Sequence, residues 1–334
     1  MSSAATCCDH SARDVSSCRK YHGGGRRPGA APPLPDVRPA SVSVDGNVTM
    51  QDRIVTRALH RLFSPKTVAV VGGGAWCRSV RTALEAMAFS GKVWHVHPSA
   101  PNALRDIGEL PEAPDACFIG VNRHATVEAL AALNAKGAAG AVCFASGFAE
   151  AEDGAELSRA LLAAAPNMAV VGPNCYGFVN ALDGCALWPD VHGMVPVESG
   201  VAILTQSSNI ALNLTMQARG LPIGFLGTAG NQAQIGLSDM ARHWLHDPRI
   251  TAIGLHIEGI GDVAAFQALM QDAHRLKKPV IAIKAGRSES AQTAAVSHTA
   301  SMSGSDVGAD ALFARLGVVR VSSLDAFIDA LKHA

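Results

Sequence analysis

Residues 67–76 read TVAVVGGGAW, a short apolar run that ends in three consecutive glycines. Such a run is typical of a buried strand that turns directly into a helix. Glycines at this turn let a pyrophosphate approach the backbone, and the first amides of the helix attract its charge. Gly72 and Gly74 match the first two glycines of G-x-G-x-x-G/A, but Cys77 stands at the last position. The stretch predicts either a phosphate-binding turn at Gly72, Gly73 and Gly74 or a turn that only closes the strand–helix unit.

The next predicted strand, KVWHVH at residues 92–97, tests which ligand this turn would bind. Folds that bind NAD usually carry Asp or Glu at this strand end, where it binds the ribose hydroxyls. Here the strand ends in His97 and is followed by Pro98. A histidine suits a phosphorylated ribose better than a free diol, and coenzyme A (CoA) carries a ribose 3′-phosphate. The sequence favours CoA, and an NAD-binding oxidoreductase is the less favoured alternative.

Strand-like runs alternate with Ala- and Leu-rich helical segments from about residue 51 to the C-terminus. This alternation predicts an α/β fold with parallel sheets and helices on both faces, in two consecutive domains joined across residues 172–200. Residues 1–50 are rich in Gly, Pro, Arg and Ser without periodicity, which predicts a disordered leader. The predicted strands are Thr67–Val71, Lys92–His97, Ala116–Val121, Gly140–Phe144, Met168–Val171, Val201–Thr205, Gly224–Thr228, Ala252–Glu258, Pro279–Lys284 and Val318–Val321.

Composition narrows the class of protein. Of the 334 residues, 48% are hydrophobic and 17% are charged, as expected for a chain that buries sizeable cores. Lys plus Arg and Asp plus Glu both number 28, so no nucleic-acid or anionic-membrane partner is expected. No apolar run reaches the ~18 residues of a transmembrane helix, and a cytoplasmic location is expected. The eight cysteines lack disulfide-framework spacing, and Cys117 and Cys143 are expected to be buried apolar side chains.

Three features of the second predicted domain follow strand ends, where ligands of open α/β sheets bind. After VAILTQ, the residues Ser207, Ser208 and Asn209 open a helix whose first amides and serine hydroxyls predict an anion site. After AIGLHI comes Glu258, directly before a glycine turn. After PVIAIK comes a long loop, rich in Ser, Thr, Ala and Gly, that contains His298.

His298 is the candidate nucleophile, because histidine carries covalent intermediates and its small neighbours leave room for a bulky group. A carboxylate on the other ring nitrogen would fix the tautomer, and Glu258 is the candidate for that role. The alternative is that His298 is an exposed loop histidine without function. His243 and His246 share a helix, but no third ligand accompanies them and no metal site is expected.

From Thr67 to the C-terminus, the sequence resembles the NDP-forming acyl-CoA synthetases, which are related to the succinyl-CoA synthetase α subunit and to ADP-forming acetate–CoA ligase. The resemblance rests on VGPNCYGFVN, ILTQSSNIAL, IEGIGD, and KAGRS followed by SHTASMSGSD. It implies a Rossmann-like CoA-binding domain over residues 51–185 and a flavodoxin-like domain over residues 186–334. The sequence departs from the family pattern at the glycine loop, GGGAWC, and at the helix start, QSSN.

The resemblance implies roles for individual residues. His298 matches the phosphorylated histidine of the family, and Glu258 matches the glutamate that contacts it. Ser207, Ser208 and Asn209 match a helix start that holds the phosphate. The positions that match CoA-contacting loops or border the site are Gly72, Gly73, Gly74, His97, Pro98, Val121, Asn122, Pro173 and Asn174.

The reaction implied is that of a ligase: a carboxylic acid, CoA and a nucleoside triphosphate give acyl-CoA, a nucleoside diphosphate and phosphate, through acyl phosphate and phospho-His298. CoA and a small carboxylic acid or acyl-CoA are the expected ligands of this chain. ATP or GTP with Mg²⁺ is expected only on an ATP-grasp partner subunit or further domain, and an oligomer is expected. The acyl group is expected near Trp188–Val195 and Gly227–Gln234. A non-catalytic CoA- or acyl-CoA-binding regulator is the alternative, although it would need neither His298 nor Glu258.

Overall fold

The computed structural model describes residues 58–286 and 306–334, so His298 and the predicted leader lie outside the described residues. The described part is an α/β structure with two sheets, as the sequence predicts. The first sheet has five parallel strands in the order β2–β1–β3–β4–β5. Its strands are β1 (Thr67–Val71), β2 (Lys92–Val96), β3 (Ala116–Ile119), β4 (Gly140–Cys143) and β5 (Ala169–Val171), and its helices are α1 (Ala75–Ala86), α2 (Arg123–Lys136) and α3 (Gly154–Ala164).

The second sheet has seven strands in the order β12–β11–β10–β8–β9–β6–β7. Five of them are parallel, and an antiparallel hairpin of β6 and β7 forms one edge. The strands are β6 (Phe178–Asn180), β7 (Cys185–Leu187), β8 (Gly200–Thr205), β9 (Ile223–Thr228), β10 (Ile250–Ile257), β11 (Val280–Lys284) and β12 (Val319–Val321). The helices are α4 (Ser208–Thr215), α5 (Leu237–Leu245), α6 (Val263–Leu276), α7 (Asp306–Leu316) and α8 (Leu324–Lys332).

The parallel parts of both sheets share one strand order. In each, the first strand lies between the second and the third, so the chain changes direction across the sheet between β1 and β3, and again between β8 and β10. Ligands of doubly wound sheets bind outside the carboxyl ends of the strands at such a switch point. The topology therefore gives this chain two places where a ligand is expected.

Every predicted strand is present, with ends within two residues of the prediction. The hairpin of β6 and β7 was not predicted, because its three-residue strands are too short to show periodicity. The hairpin pairs with β9 of the second sheet, although β6 precedes the predicted domain boundary at residues 185/186. The change of sheet thus falls between β5 and β6, while the domain boundary itself stays a prediction.

No helix among residues 58–286 and 306–334 has the length and apolar character needed to span a membrane. Cys117 and Cys143 are buried and free, as predicted, on the strands β3 and β4.

One core cluster contains apolar side chains from both sheets, such as Val70 of β1 and Leu204 of β8. Phe63 shows how the two sheets are joined, because it precedes β1 in the chain but packs against the second sheet. Its fully buried ring lies 5.3 Å from that of Phe178 and 5.1 Å from that of Phe225. Burial of this aromatic cluster stabilises the arrangement of the sheets on which any shared site depends.

We expect Phe63→Ala to lower the free energy of unfolding by about 3–5 kcal/mol, because it removes a fully buried ring and leaves a cavity. Urea unfolding followed by circular dichroism measures the loss. Phe63→Leu keeps most of the volume and is expected to cost less than about 1.5 kcal/mol. Equal unfolding midpoints for Phe63→Ala and the wild type would contradict this role of Phe63.

Candidate active site

A cavity of about 1070 Å³ opens where the carboxyl ends of the two sheets meet. It is lined by the start of α1, by the segments that follow β3 and β4, by the connection from β5 to β6, and by the segments that follow β8, β10 and β11. Both switch points thus open into one space. The lining residues are Trp76, Gly120, Val121, Asn122, Arg123, Phe144, Ala145, Ser146, Asn174, Cys175, Tyr176, Gln206, Ser207, Ser208, Asn209, Glu258, Ala285 and Gly286.

The start of α4 forms one corner of the cavity. The Ser207 hydroxyl oxygen accepts the Ile210 N–H at 3.4 Å and caps the helix, while the Ser208 hydroxyl oxygen accepts the Tyr176 N–H at 3.2 Å. The N–H groups of Ser208 and Asn209 lie in the first turn, where a helix offers amides without internal partners. Together with the helix dipole, these amides suit an anion. We call the start of α4, residues 207–209, the anion corner.

Gln206 connects the anion corner to the turn that carries Glu258. Its side chain is 2% exposed and accepts the backbone N–H groups of Glu258 and Gly259, the latter at 3.0 Å. Its Nε2 donates to the carbonyl of Gly259 at 2.8 Å. Because Gln206 directly precedes Ser207, these three hydrogen bonds fix the position of Glu258 relative to the corner.

Lys284, at the end of β11, stabilises the same turn from the other side. Its Nζ donates to the carbonyls of Glu258 at 2.8 Å and Ala285 at 2.7 Å. Burial lowers the pKa of Lys284 below its usual value. The lysine therefore joins the ends of β10 and β11 at the point where the chain leads into the loop that contains His298.

A second buried polar contact lies beneath the anion corner. The Thr205 hydroxyl and His256 Nδ1 lie 3.1 Å apart, on the neighbouring strands β8 and β10. Burial lowers the pKa of His256 to about 4, so the ring is neutral near pH 7. His256 thus supports the strand pairing below the cavity and is not one of its lining residues.

The glycine turn after β1 is closely packed. Gly72 has a φ of +124°, and a Cβ there would lie 2.7 Å from the Gly120 carbonyl oxygen and 2.9 Å from Cys77 Sγ. The thiol of Cys77 thus packs against both Gly72 and Gly120. This close contact explains why position 77 takes a small residue. Burial raises the pKa of Cys77 to about 11, and the group remains a neutral thiol. His95 Nε2 holds the turn by a 2.8 Å contact with the Gly72 carbonyl.

His97 lies directly over Gly73. A Cβ on Gly73 would lie 2.3 Å from the Cδ2 and Nε2 atoms of the His97 ring. His97 Nδ1 accepts the N–H groups of Ser99 at 3.1 Å and Ala100 at 2.9 Å, which assigns the ring proton to Nε2. Gly74, in contrast, has no atom within 4 Å of a Cβ placed on it. The glycine turn therefore presents an open side at Gly74 and a histidine N–H beside Gly73.

Comparisons with known proteins agree with this architecture. Residues 66–181 match a family described as a CoA binding domain, and residues 198–334 match a succinyl-CoA ligase like flavodoxin domain. Together these matches cover most of the described residues. The chain belongs to the NDP-forming acyl-CoA synthetase family.

Two relatives show the extent of the similarity. The trans-feruloyl-CoA synthase FCS1 of an unknown prokaryotic organism is 29% identical over 84% of this chain. Subunit alpha of the ADP-forming acetate–CoA ligase II of Pyrococcus furiosus is 29% identical over 80% of this chain. This chain spans 42% of the length of the former and 60% of the latter.

Among solved structures, the dinucleotide-forming acetyl-coenzyme A synthetase 1 of Ca. Korarchaeum cryptofilum, in complex with phosphate and ADP, superimposes with a TM-score of 0.73 at 27% identity. The match covers 82% of this chain and 61% of that chain.

The acyl-CoA synthetase fold brings together seven of the residues expected at the site. Val121, Asn122, Asn174, Ser207, Ser208, Asn209 and Glu258 all line the cavity. The expected CoA-contacting residues Gly72, Gly73, Gly74, His97 and Pro98 are not lining residues, and form a neighbouring cluster at the ends of β1 and β2. Trp76, two residues after Gly74, joins this cluster to the cavity. Pro173 is buried beside the cavity, and its carbonyl accepts the Asn231 N–H at 3.0 Å.

Two segments expected near the acyl group lie outside the lining of this cavity. Neither Trp188–Val195 nor Gly227–Gln234 lines the cavity. Gly230 instead packs against the carbonyls of Pro173 and Asn174, and residues of the segment 189–196 line a separate groove beside α1. Sequence reasoning also missed Trp76, Tyr176 and Lys284, and it placed Gln206 in the QSSN helix start without its contacts to the turn of Glu258. All four lie within or beside the motifs TVAVVGGGAW, VGPNCYGFVN, ILTQSSNIAL and KAGRS.

We expect Gln206→Leu to loosen the turn of Glu258, because the Glu258 and Gly259 amides lose their acceptor at a cost of about 1–3 kcal/mol. Amide hydrogen exchange measured by NMR should accelerate about ten-fold or more at these two residues. Gln217→Leu is the matched control, since Gln217 makes the same kind of side-chain contacts with the Arg219 amide and Leu221 carbonyl. Unchanged exchange at Glu258 and Gly259 in Gln206→Leu would exclude the positioning role.

Proposed function

We propose that this chain is the CoA-binding and phosphohistidine-bearing part of an NDP-forming acyl-CoA synthetase. The observation that carries the proposal is that the CoA-binding domain and the anion corner open into one cavity. In the acyl-CoA-consuming direction, phosphate attacks the thioester carbonyl, CoA leaves as the thiol, and acyl phosphate forms. His298 then attacks the phosphorus, the carboxylate leaves, and the phosphoryl group passes from His298 to a nucleoside diphosphate. The sequence of steps is reversible.

The proposed roles follow from chemistry and position. The Ser208 and Asn209 amides, with the Ser207 hydroxyl that caps their helix, bind the phosphoryl oxygens. Glu258, held by Gln206, orients the His298 ring and stabilises its positive charge. CoA is bound at the glycine turn and the neighbouring strand ends, by the residues Gly72, Gly73, Gly74, His97, Pro98, Val121, Asn122, Pro173 and Asn174.

The nucleotide half of the reaction is assigned to an ATP-grasp partner subunit or a further domain, which would hold ATP or GTP with Mg²⁺. A relative named subunit alpha, of which this chain spans 60%, supports such a division of labour. The proposed complex is therefore an oligomer, and its second ligand is a small carboxylic acid or the corresponding acyl-CoA. The two domains are proposed to extend over residues 51–185 and 186–334.

Phosphohistidine formation tests the proposal without the partner. The purified chain, incubated with radiolabelled acetyl phosphate, should acquire an acid-labile label that His298→Asn abolishes. Ser208→Pro, which removes one amide of the anion corner at a helix position that tolerates proline, should lower the labelling rate about ten-fold.

His333→Asn is the matched control, because His333 is exposed near the C-terminus, and its labelling should equal that of the wild type. CoA binding without any label on His298 would reject the catalytic role and favour a non-catalytic CoA-binding protein.

The glycine turn provides a matched pair of substitutions for CoA binding. Gly73→Ala should weaken CoA about ten-fold, or about 1.4 kcal/mol, because its Cβ displaces the His97 ring. Gly74→Ala leaves the His97 ring in place, since its Cβ meets no protein atom within 4 Å, and should weaken CoA only through contact with the pyrophosphate at this open side. Isothermal titration calorimetry measures both, with NAD as the competing candidate ligand. Binding of NAD in place of CoA would favour the oxidoreductase alternative.

A further inference from the structure

Three aromatic side chains form one wall of the cavity. Trp76, Phe144 and Tyr176, here called the aromatic wall, come from the start of α1, the end of β4 and the connection from β5 to β6. Their ring centroids are 5.3 Å apart for Trp76 and Phe144, 5.9 Å for Phe144 and Tyr176, and 6.5 Å for Trp76 and Tyr176. Trp76 is 45% exposed and lines both this cavity and the neighbouring groove beside α1. Exposed aromatic surface in a concave site is typical of ligand binding.

The aromatic wall is preformed by packing behind it. The Tyr176 ring meets the fully buried Trp188 edge to face, with centroids 5.3 Å apart. The Phe144 ring lies 5.8 Å from the fully buried Phe118. Since buried neighbours fix these two rings, a ligand that stacks on them loses little free energy to ordering the site.

The wall also adjoins the anion corner. The backbone N–H of Tyr176 donates to the Ser208 hydroxyl at 3.2 Å, so one residue of the wall touches the proposed phosphate site. In an acyl phosphate, the carbonyl carbon is one oxygen away from phosphorus, and its substituent begins at the next atom. A phosphoryl group on the anion corner therefore places the acyl substituent within a few ångströms of Tyr176.

Charges around the cavity oppose a second carboxylate on the acyl group. Arg123 is engaged by Asp153 through two hydrogen bonds, of 2.8 Å and 2.5 Å. Lys284 donates to two backbone carbonyls, and Glu258 adds a negative charge to the lining. Among the described lining residues, no cation is left to pair with a dicarboxylic acid such as succinate.

We infer that the aromatic wall binds the acyl group and selects monocarboxylic acids with a flat aromatic substituent. This inference rests on the proposed function, because it assumes that acyl-CoA and acyl phosphate occupy the cavity. It replaces the earlier expectation that residues 188–195 and 227–234 surround the acyl group. Stacking on Trp76, Phe144 and Tyr176 supplies the selectivity, and succinate is disfavoured because the described lining residues offer no free cation to a second carboxylate.

Calorimetric titration of the purified chain with CoA, acetyl-CoA, benzoyl-CoA and succinyl-CoA tests the inference. Benzoyl-CoA is expected to bind about ten-fold more tightly than acetyl-CoA, since it buries a ring against three others. Succinyl-CoA is expected to bind no more tightly than acetyl-CoA. Trp76→Ala, a change at a half-exposed position that the fold should tolerate, is expected to reduce the preference for benzoyl-CoA to about two-fold or less.

The affinity for CoA itself shows whether the aromatic wall binds the acyl group or the pantetheine arm of CoA. If Trp76→Ala weakens CoA and benzoyl-CoA by the same factor, the wall binds the arm and the inference is overturned. Leu162→Ala, at a half-exposed position on α3 outside the cavity, is the matched control and should change no affinity. Tyr176→Leu is a second test, and should lower the preference for benzoyl-CoA with CoA affinity retained.

The remaining outcomes distinguish this inference from the proposed function. Tight CoA binding with equal affinity for acetyl-CoA and benzoyl-CoA would overturn the role of the aromatic wall in binding the acyl group. The proposed synthetase function would be unaffected. A preference for succinyl-CoA would also overturn it, because it would reveal a cation that serves a second carboxylate. Failure to bind any of the four compounds would reject the proposed function, and the inference with it.

Discussion

The connection between the two sheets, residues 172–177 with the sequence GPNCYG, makes the hydrogen bonds on which the site depends. The Asn174 N–H donates to the Ala145 carbonyl at 2.9 Å, behind β4 of the first sheet. Three residues later, the Gly177 N–H donates to the Thr228 hydroxyl at 2.8 Å, at the end of β9 of the second sheet. The Tyr176 N–H, between them, reaches the anion corner. One short segment is thus bonded to the carboxyl ends of both sheets, and it brings two switch points, each of which could bind a ligand alone, to one cavity.

A chemical consequence follows from joining two switch points. Transfer between a thioester and a phosphate requires both groups within bonding distance, and intramolecular placement of this kind lowers the entropic part of a barrier. The first switch point suits CoA, and the second suits an anion. Gln206 and Lys284 add rigidity, since every polar atom they bury is hydrogen-bonded to the turn of Glu258. Buried polar contacts of this kind contribute little net stability when satisfied, but losing one partner costs about 1–3 kcal/mol, so they hold a single geometry.

Much of this arrangement could be predicted from the sequence, for a physical reason. Parallel strands covered on both faces are continuous apolar runs, such as Val68–Val71, and chemistry-bearing residues follow their ends, so Ser207 and Glu258 could be placed at one edge. The hairpin of β6 and β7 could not be predicted, because strands of three residues are too short to show the alternation of a strand. The aromatic wall could not be predicted from the sequence either, since Trp76, Phe144 and Tyr176 meet only after both sheets have packed. The two loops expected near the acyl group, residues 188–195 and 227–234, do not line this cavity, because sequence position alone does not show which face a loop presents.

The departures from the family pattern become understandable through the packing. Cys77 replaces a residue for which glycine or alanine is expected, yet its thiol fills the space between Gly72 and Gly120 and keeps the turn closed. At the other departure, QSSN, Ser207 caps the helix and Ser208 accepts the Tyr176 amide, so the altered residues still form a helix start with amides that face the cavity. In both places the side chain differs from the family pattern, while the glycine turn and the helix start are still formed. Because the proposed ligand contacts at both places come largely from backbone amides, they can persist when such side chains differ.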